Sequence, residues 1–189
     1  MDMQSLVNYL RTWVAVIPGA VLLMHSPISL SSPRQSYRIT DVPFIRQERN
    51  NCGPAALAMV LGYYRVRIGQ DELAEEIRPE RIGGTLNLDL LLAARNHGFD
   101  ASMPAGGLAT VKDYLRRDIP VIALIETSPG SQRFHYLVIY GYDDRNAALL
   151  VHSGRNRALT LPYQQFLPSW EAAENWMLVI GRRDYTQDD

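Results

Sequence analysis

The chain has 189 residues, with 19 lysines and arginines against 20 aspartates and glutamates. That length supports one well-buried core and is short for two. The charge balance leaves no basic footprint for a nucleic acid backbone, and the single cysteine excludes an intramolecular disulfide or a zinc site built from several thiolates.

The chain opens on an apolar, uncharged run, residues 13–24, behind Arg11. It is shorter than the roughly 20 residues of a spanning helix and suits a signal-peptide core. Ser29-Leu-Ser31 offers a small-x-small cleavage site, although Asp2 offsets Arg11. A buried helix and an uncleaved anchor are the alternatives. Residues 1–36 are expected to be leader or anchor plus a Ser/Pro linker, residues 37–184 the folded domain, and residues 185–189 a polar tail.

The domain starts with an extended segment, Tyr37 to Ile45, in which Pro43 favours an edge. From Cys52 the pattern turns helical, with Leu57, Val60, Leu61 and Tyr64 spaced as one buried face and Pro54 in the first turn. Asp71 to Ile77 predicts a short helix with acidic residues at its start. A third helix is expected from Asn87 to Asn96, closed by Gly98. Thr110-x-x-Asp113 resembles a capping box, opening a fourth helix that ends at Asp118. The period then changes. Val121 to Glu126, Phe134 to Tyr142, Ala147 to His152, Ala158 to Leu161 and Trp176 to Ile180 read as strands separated by turn clusters at 128–131, 143–146 and 153–156. Helices first and strands later is an α+β pattern of two layers.

A thiol attacks as its thiolate, and a helix N-terminus with its unpaired N–H groups stabilises that anion. Cys52 stands at such a point, outside the apolar stripe that would mark a structural cysteine. A base has to come from one of four histidines. His25 lies in the leader, His97 lies beside a helix end, and His135 and His152 lie on predicted strands. His135 opens a very apolar strand just past a flexible Ser/Pro/Gly loop, a natural rim position.

Gln47-Glu-Arg-Asn-Asn-Cys52-Gly53-Pro54-Ala55, followed by His135-Tyr-Leu-Val-Ile-Tyr-Gly-Tyr-Asp143, resembles the bacteriocin-processing peptidases over Val42 to Trp176. These are papain-fold enzymes that cleave leader peptides after a double glycine. The resemblance implies a nucleophile helix packed on a C-terminal antiparallel sheet, with Cys52 as nucleophile, His135 as base and Gln47 as oxyanion donor. Such a donor is worth roughly 2.7 to 4 kcal/mol in comparable sites. Gln47 read by itself is a surface glutamine; its weight comes from its position before Cys52.

The third member departs from the family pattern. An Asp, commonly in Asp-Pro, ends the next strand there, whereas this chain reads Val151-His152-Ser153-Gly154. Centring the hairpin between Asp144 and Arg145 sets His135 opposite residue 154, so residues 152–156 are within reach. Ser153 takes the acid's place by resemblance, and Asn156 is the alternative partner for the imidazole. Asp143 and Asp144 read as turn residues.

The expected activity is peptide or protein cleavage through an acyl-enzyme, with no metal or organic cofactor. A double-glycine leader is the implied substrate, and the chain shows no transporter segments, so export machinery would act in trans. The periplasm or cell envelope is the expected location, with membrane association through the N-terminal segment and no nucleic acid partner. A peptide-binding module with an impaired site and a thiol acyltransferase are the competing readings.

Overall fold

A computed structural model describes residues 35–48, 50–77 and 87–182. The apolar run at 13–24, His25, the candidate cleavage site and the C-terminal tail lie outside them.

Helix α1, Cys52–Tyr63, is buried along its whole length from Gly53 to Leu61, where the spacing predicted one buried face. Small residues explain the difference. Gly53, Ala55, Ala56 and Ala58 let neighbours approach closely, so α1 packs against helices α2 (Gln70–Ile77) and α3 (Asn87–Asn96) on one side and the sheet on the other. Gly98, at φ +85, closes the turn after α3 in the left-handed conformation that glycine adopts without penalty.

The sheet is antiparallel throughout. Its strands are β1 (Ser36–Arg38), β2 (Phe99–Ser102), β3 (Val121–Glu126), β4 (Phe134–Asp143), β5 (Ala148–Ser153), β6 (Asn156–Pro162) and β7 (Met177–Arg182). Their order is β2-β7-β3-β4-β5-β6, and β1 continues the β3 edge of β4 beyond Ile139. Alternation along the strands divides the core in two. Ile122, Tyr136, Val138, Leu178 and Ile180 face the first three helices. Val121, Leu137, Ile139 and Val179 meet Val111 and Leu115 of α4 (Leu108–Arg116) and Phe166 and Trp170 of α5 (Tyr163–Glu171). Helices therefore cover both faces, where the sequence predicted two layers.

Local signals explain the other differences. Helix α4 starts earlier than predicted: Gly107 precedes it, and the Gly107 N–H donates to Thr110 Oγ1 at 3.4 Å, which places Thr110 inside the first turn. Helix α5 was not predicted because it carries Pro168, a residue that usually breaks helices. Burial of Phe166 and Trp170, stacked at 5.1 Å, holds it against the sheet. Strand β2 is too short to show a period in sequence and is defined by its pairing with β7.

The β4–β5 hairpin turns at residues 144–147, and a register shift between Ile139 and Gly141 inserts Tyr140 as an extra residue. The turn is centred one residue later than predicted, which alone would set Val138 opposite residue 153; the extra residue draws it back to His152, where the predicted register pairs it with Val151. Gly141 sits at this irregularity beneath β1. A β-carbon there would lie 2.7 Å from the Tyr37 carbonyl oxygen and 3.2 Å from Arg38 Cα, both backbone atoms. Gly141→Ala should therefore destabilise by about 1–3 kcal/mol, the usual cost of overpacking. Gly181→Ala, in open space, should be far milder. Urea unfolding of the two variants checks the contrast.

Candidate functional site

Cys52 is the first residue of α1 and is partly buried against the core. The first helical bond runs from the Ala55 N–H to the Asn51 carbonyl at 2.8 Å, and Pro54 has no N–H. The N–H groups of Cys52 and Gly53 thus lie in the unpaired first turn, at the positive end of the helix dipole. The charge of a Cys52 thiolate reaches the buried Tyr136 hydroxyl. Burial first, and this charge second, push the Tyr136 pKa up.

His135 enters from the start of β4, opposite Ile125 of β3. Its Nε2 lies 3.0 Å from Ser153 Oγ. The register of β5 against β6 shifts between Val151 and Ser153, and Ser153 resumes pairing opposite Asn156 at the end of the strand. Asn156 is exposed at the start of β6 and does not provide the bond to the ring. Burial holds the His135 pKa below the ordinary histidine value. Among the described residues no hydrogen bond joins Cys52 to the ring. Physical chemistry accounts for this: a neutral imidazole and a thiol attract each other weakly, since S–H is a poor donor. With Nε2 at Ser153, Nδ1 is the nitrogen left for the sulfur.

Gln47 is tied to the same turn. Its backbone N–H donates to the Gly154 carbonyl at 3.0 Å. Gly154 has φ +59, and a β-carbon on it would stand 3.6 Å from Gln47 Oε1 and 3.8 Å from His135 Cε1. Glutamine amide and imidazole therefore share one neighbourhood. The segment around Gln47 is pinned by residues that the sequence did not single out. Gln70 Nε2 donates to the Arg46 carbonyl at 2.9 Å, and its Oε1 accepts the Glu48 N–H at 3.1 Å. Asn51 Nδ2 donates to Asp71 Oδ1 at 3.0 Å. No short-range pattern links the start of α2 to this loop.

The remaining histidines have structural partners. His152 Nδ1 accepts the Ala158 N–H at 3.1 Å, so Nε2 carries the proton toward the Val42 carbonyl at 3.3 Å. His97 pairs with Glu76 at 2.9 Å. The loop before His135, expected to be flexible, is closed on buried Glu126, which accepts the N–H groups of Gly130 and Gln132 at 3.1 and 2.7 Å. Asp143 accepts from the Arg145 N–H and Asn146 Nδ2, as a turn residue does.

Residues 39–176 match the model of the Peptidase_C39 like family. The chain belongs to that family. An uncharacterized protein of Methanothermobacter marburgensis is 34% identical over 110 residues, covering 58% of this chain and 70% of that protein. A C39-like protein from Bacillus anthracis shares the fold with TM-score 0.65 at 16% identity, over 79% of this chain and 98% of that one. A double glycine motif protease from an AMS/PCAT transporter, solved with its leader peptide, gives TM-score 0.63 at 24% identity over 78% and 95%. The α+β architecture here is thus that of the papain-like C39 peptidases.

What separates this chain from the pattern described above is a hydroxyl in the acid's place. A carboxylate only accepts, which forces the proton onto the facing nitrogen. A serine hydroxyl either donates or accepts, so Ser153 holds the ring without fixing its tautomer. Ser153→Asp should raise the His135 pKa and stabilise the imidazolium. In the pH profile of Cys52 alkylation, the variant should keep the reactive ion pair to higher pH. Asn156→Ala should leave the profile in place.

The same burial predicts a stability trend. His135 and His152 both have pKa values below the unfolded value near 6.5, His152 chiefly through desolvation. Between the folded and unfolded values the unfolded chain binds more protons, so stability is present above about pH 6.5 and lost as pH falls through the folded values. Urea midpoints should drop from pH 7 to pH 5, and drop less in His135→Gln.

Proposed function

We propose that the chain is a cysteine peptidase that cleaves a peptide or protein through an acyl-enzyme on Cys52. The observation that carries this reading is the convergence of His135, Ser153 and Gln47 on the Gly154 turn, in a chain of the Peptidase_C39 like family whose one cysteine opens α1.

His135 Nδ1 takes the thiol proton, and Sγ attacks the scissile carbonyl carbon. The oxyanion accepts hydrogen bonds from the Cys52 backbone N–H and the Gln47 side-chain amide. Imidazolium returns the proton to the leaving nitrogen as the C–N bond breaks. Water, deprotonated by the neutral ring, then releases the acid and regenerates the thiol. Ser153 orients the ring throughout.

A leader peptide ending in a double glycine is the substrate class that fits best, because a structural relative carries such a peptide. Action on an exported peptide in the cell envelope, in trans to a transporter, is part of the same proposal. Among the described residues no helix is long and apolar enough to cross a membrane.

Cys52→Ala and His135→Ala should each abolish hydrolysis of a double-glycine peptide with the circular dichroism spectrum unchanged. Gln47→Ala should lower kcat by about 10²–10³, the loss of one oxyanion donor. A second reading, peptide binding without turnover, is favoured by Ser153 standing where an acid is expected. Under it, Cys52 alkylates no faster than a free thiol, and the peptide binds without being cut.

A further inference from the structure

Gln70 begins α2, an element that supplies no candidate catalytic group, and the residue is buried at 9% exposure. A buried amide costs free energy unless both its ends are satisfied. Both ends are satisfied by backbone groups on either side of one residue: the Arg46 carbonyl and the Glu48 N–H. In extended chain these two groups point to the same edge, while the N–H of residue 47 points to the other. There it meets the Gly154 carbonyl. Gln47 is thus held as a one-residue strand, with a side-chain amide acting as one neighbour and the Ser153-Gly154 turn as the other.

The segment is also fixed toward the nucleophile. The Asn51 N–H donates to the Glu48 carbonyl at 3.2 Å, and the next helical residue of α2, Asp71, holds the Asn51 amide. The two oxyanion donors, the Gln47 amide and the Cys52 N–H, therefore stand on a frame set by α2.

We propose that Gln70 is a positioning residue of the oxyanion hole, acting through Gln47 and not on the thiol. This rests on the peptidase reading above. Gln70→Leu removes both bonds at similar volume; Gln70→Glu keeps the acceptor for the Glu48 N–H and loses the donor to Arg46.

Two probes of Cys52 separate this role from general damage. A peptide aldehyde adds Sγ to its carbonyl carbon, the π electrons passing to an oxygen that needs the hole. Iodoacetamide forms an S–C bond with loss of iodide and creates no oxyanion. In Gln70→Leu the aldehyde inhibition constant should rise about ten- to a hundred-fold, less than the roughly 10²–10³ of losing an oxyanion donor outright. The alkylation rate and its pH profile should stay as in the wild type, and Gln70→Glu should fall between. In a Gln47→Ala background, Gln70→Leu should add nothing, as expected for residues acting as one unit. Amide exchange at the Glu48 N–H, which requires no turnover, should speed up in Gln70→Leu. An unchanged aldehyde constant, an equal loss with both probes, or full additivity with Gln47→Ala overturns the role given to Gln70. A wild-type protein that takes no aldehyde overturns the peptidase reading instead, while the exchange measurement still reads the clamp.

Discussion

One backbone hydrogen bond, from the Gln47 N–H to the Gly154 carbonyl, joins the two halves of the site. On one side of it lies the segment leading into α1 and Cys52; on the other lies the turn that carries Ser153 and faces His135. Neither half has a site alone. The bond can form because Gly154 takes a left-handed φ that brings its carbonyl and the adjoining ring side close to the incoming loop. A site assembled across such a long sequence separation exists only in the completed fold, since each long-range closure costs chain entropy that local structure does not offset.

Placing a histidine in this seam removes it from water. The desolvation that lowers the His135 pKa disfavours the imidazolium that a thiolate needs as its partner. A carboxylate would offset that cost by Coulombic attraction, and a hydroxyl does so only by hydrogen bonding. Substrate binding that covers the seam would exclude more water and strengthen every remaining dipole, the α1 N-terminus included. A hydroxyl at position 153 thus offsets less of the desolvation of the His135 ring than a carboxylate would.

Local chemistry made much of this legible in the sequence. The strand at 121–126, the helix at 87–96 and the Gly98 stop follow from period and punctuation, and the helix beginning at Cys52 from its spacing and Pro54. Long-range determinants were not legible. The bulge at Tyr140 shifts the hairpin register by one residue, and no turn signal announces it. Helix α5 survives Pro168 because of what Trp170 buries against, which is a tertiary fact. Gln70 and Glu126 read as ordinary polar residues at a helix start and a strand end. They matter because folding sets them beneath loops whose backbone groups would otherwise be buried without partners.

The all-round burial of α1 bears on how such a site varies. With Gly53 to Leu61 locked in the core, the position of the sulfur is set by the packing of the whole domain, and no single surface change moves it. The other candidate site residues, His135, Ser153 and Gln47, come from strand ends and loops held by a few hydrogen bonds. Cys52 is therefore the fixed point of the candidate site, and the residues around it are where its geometry is adjusted.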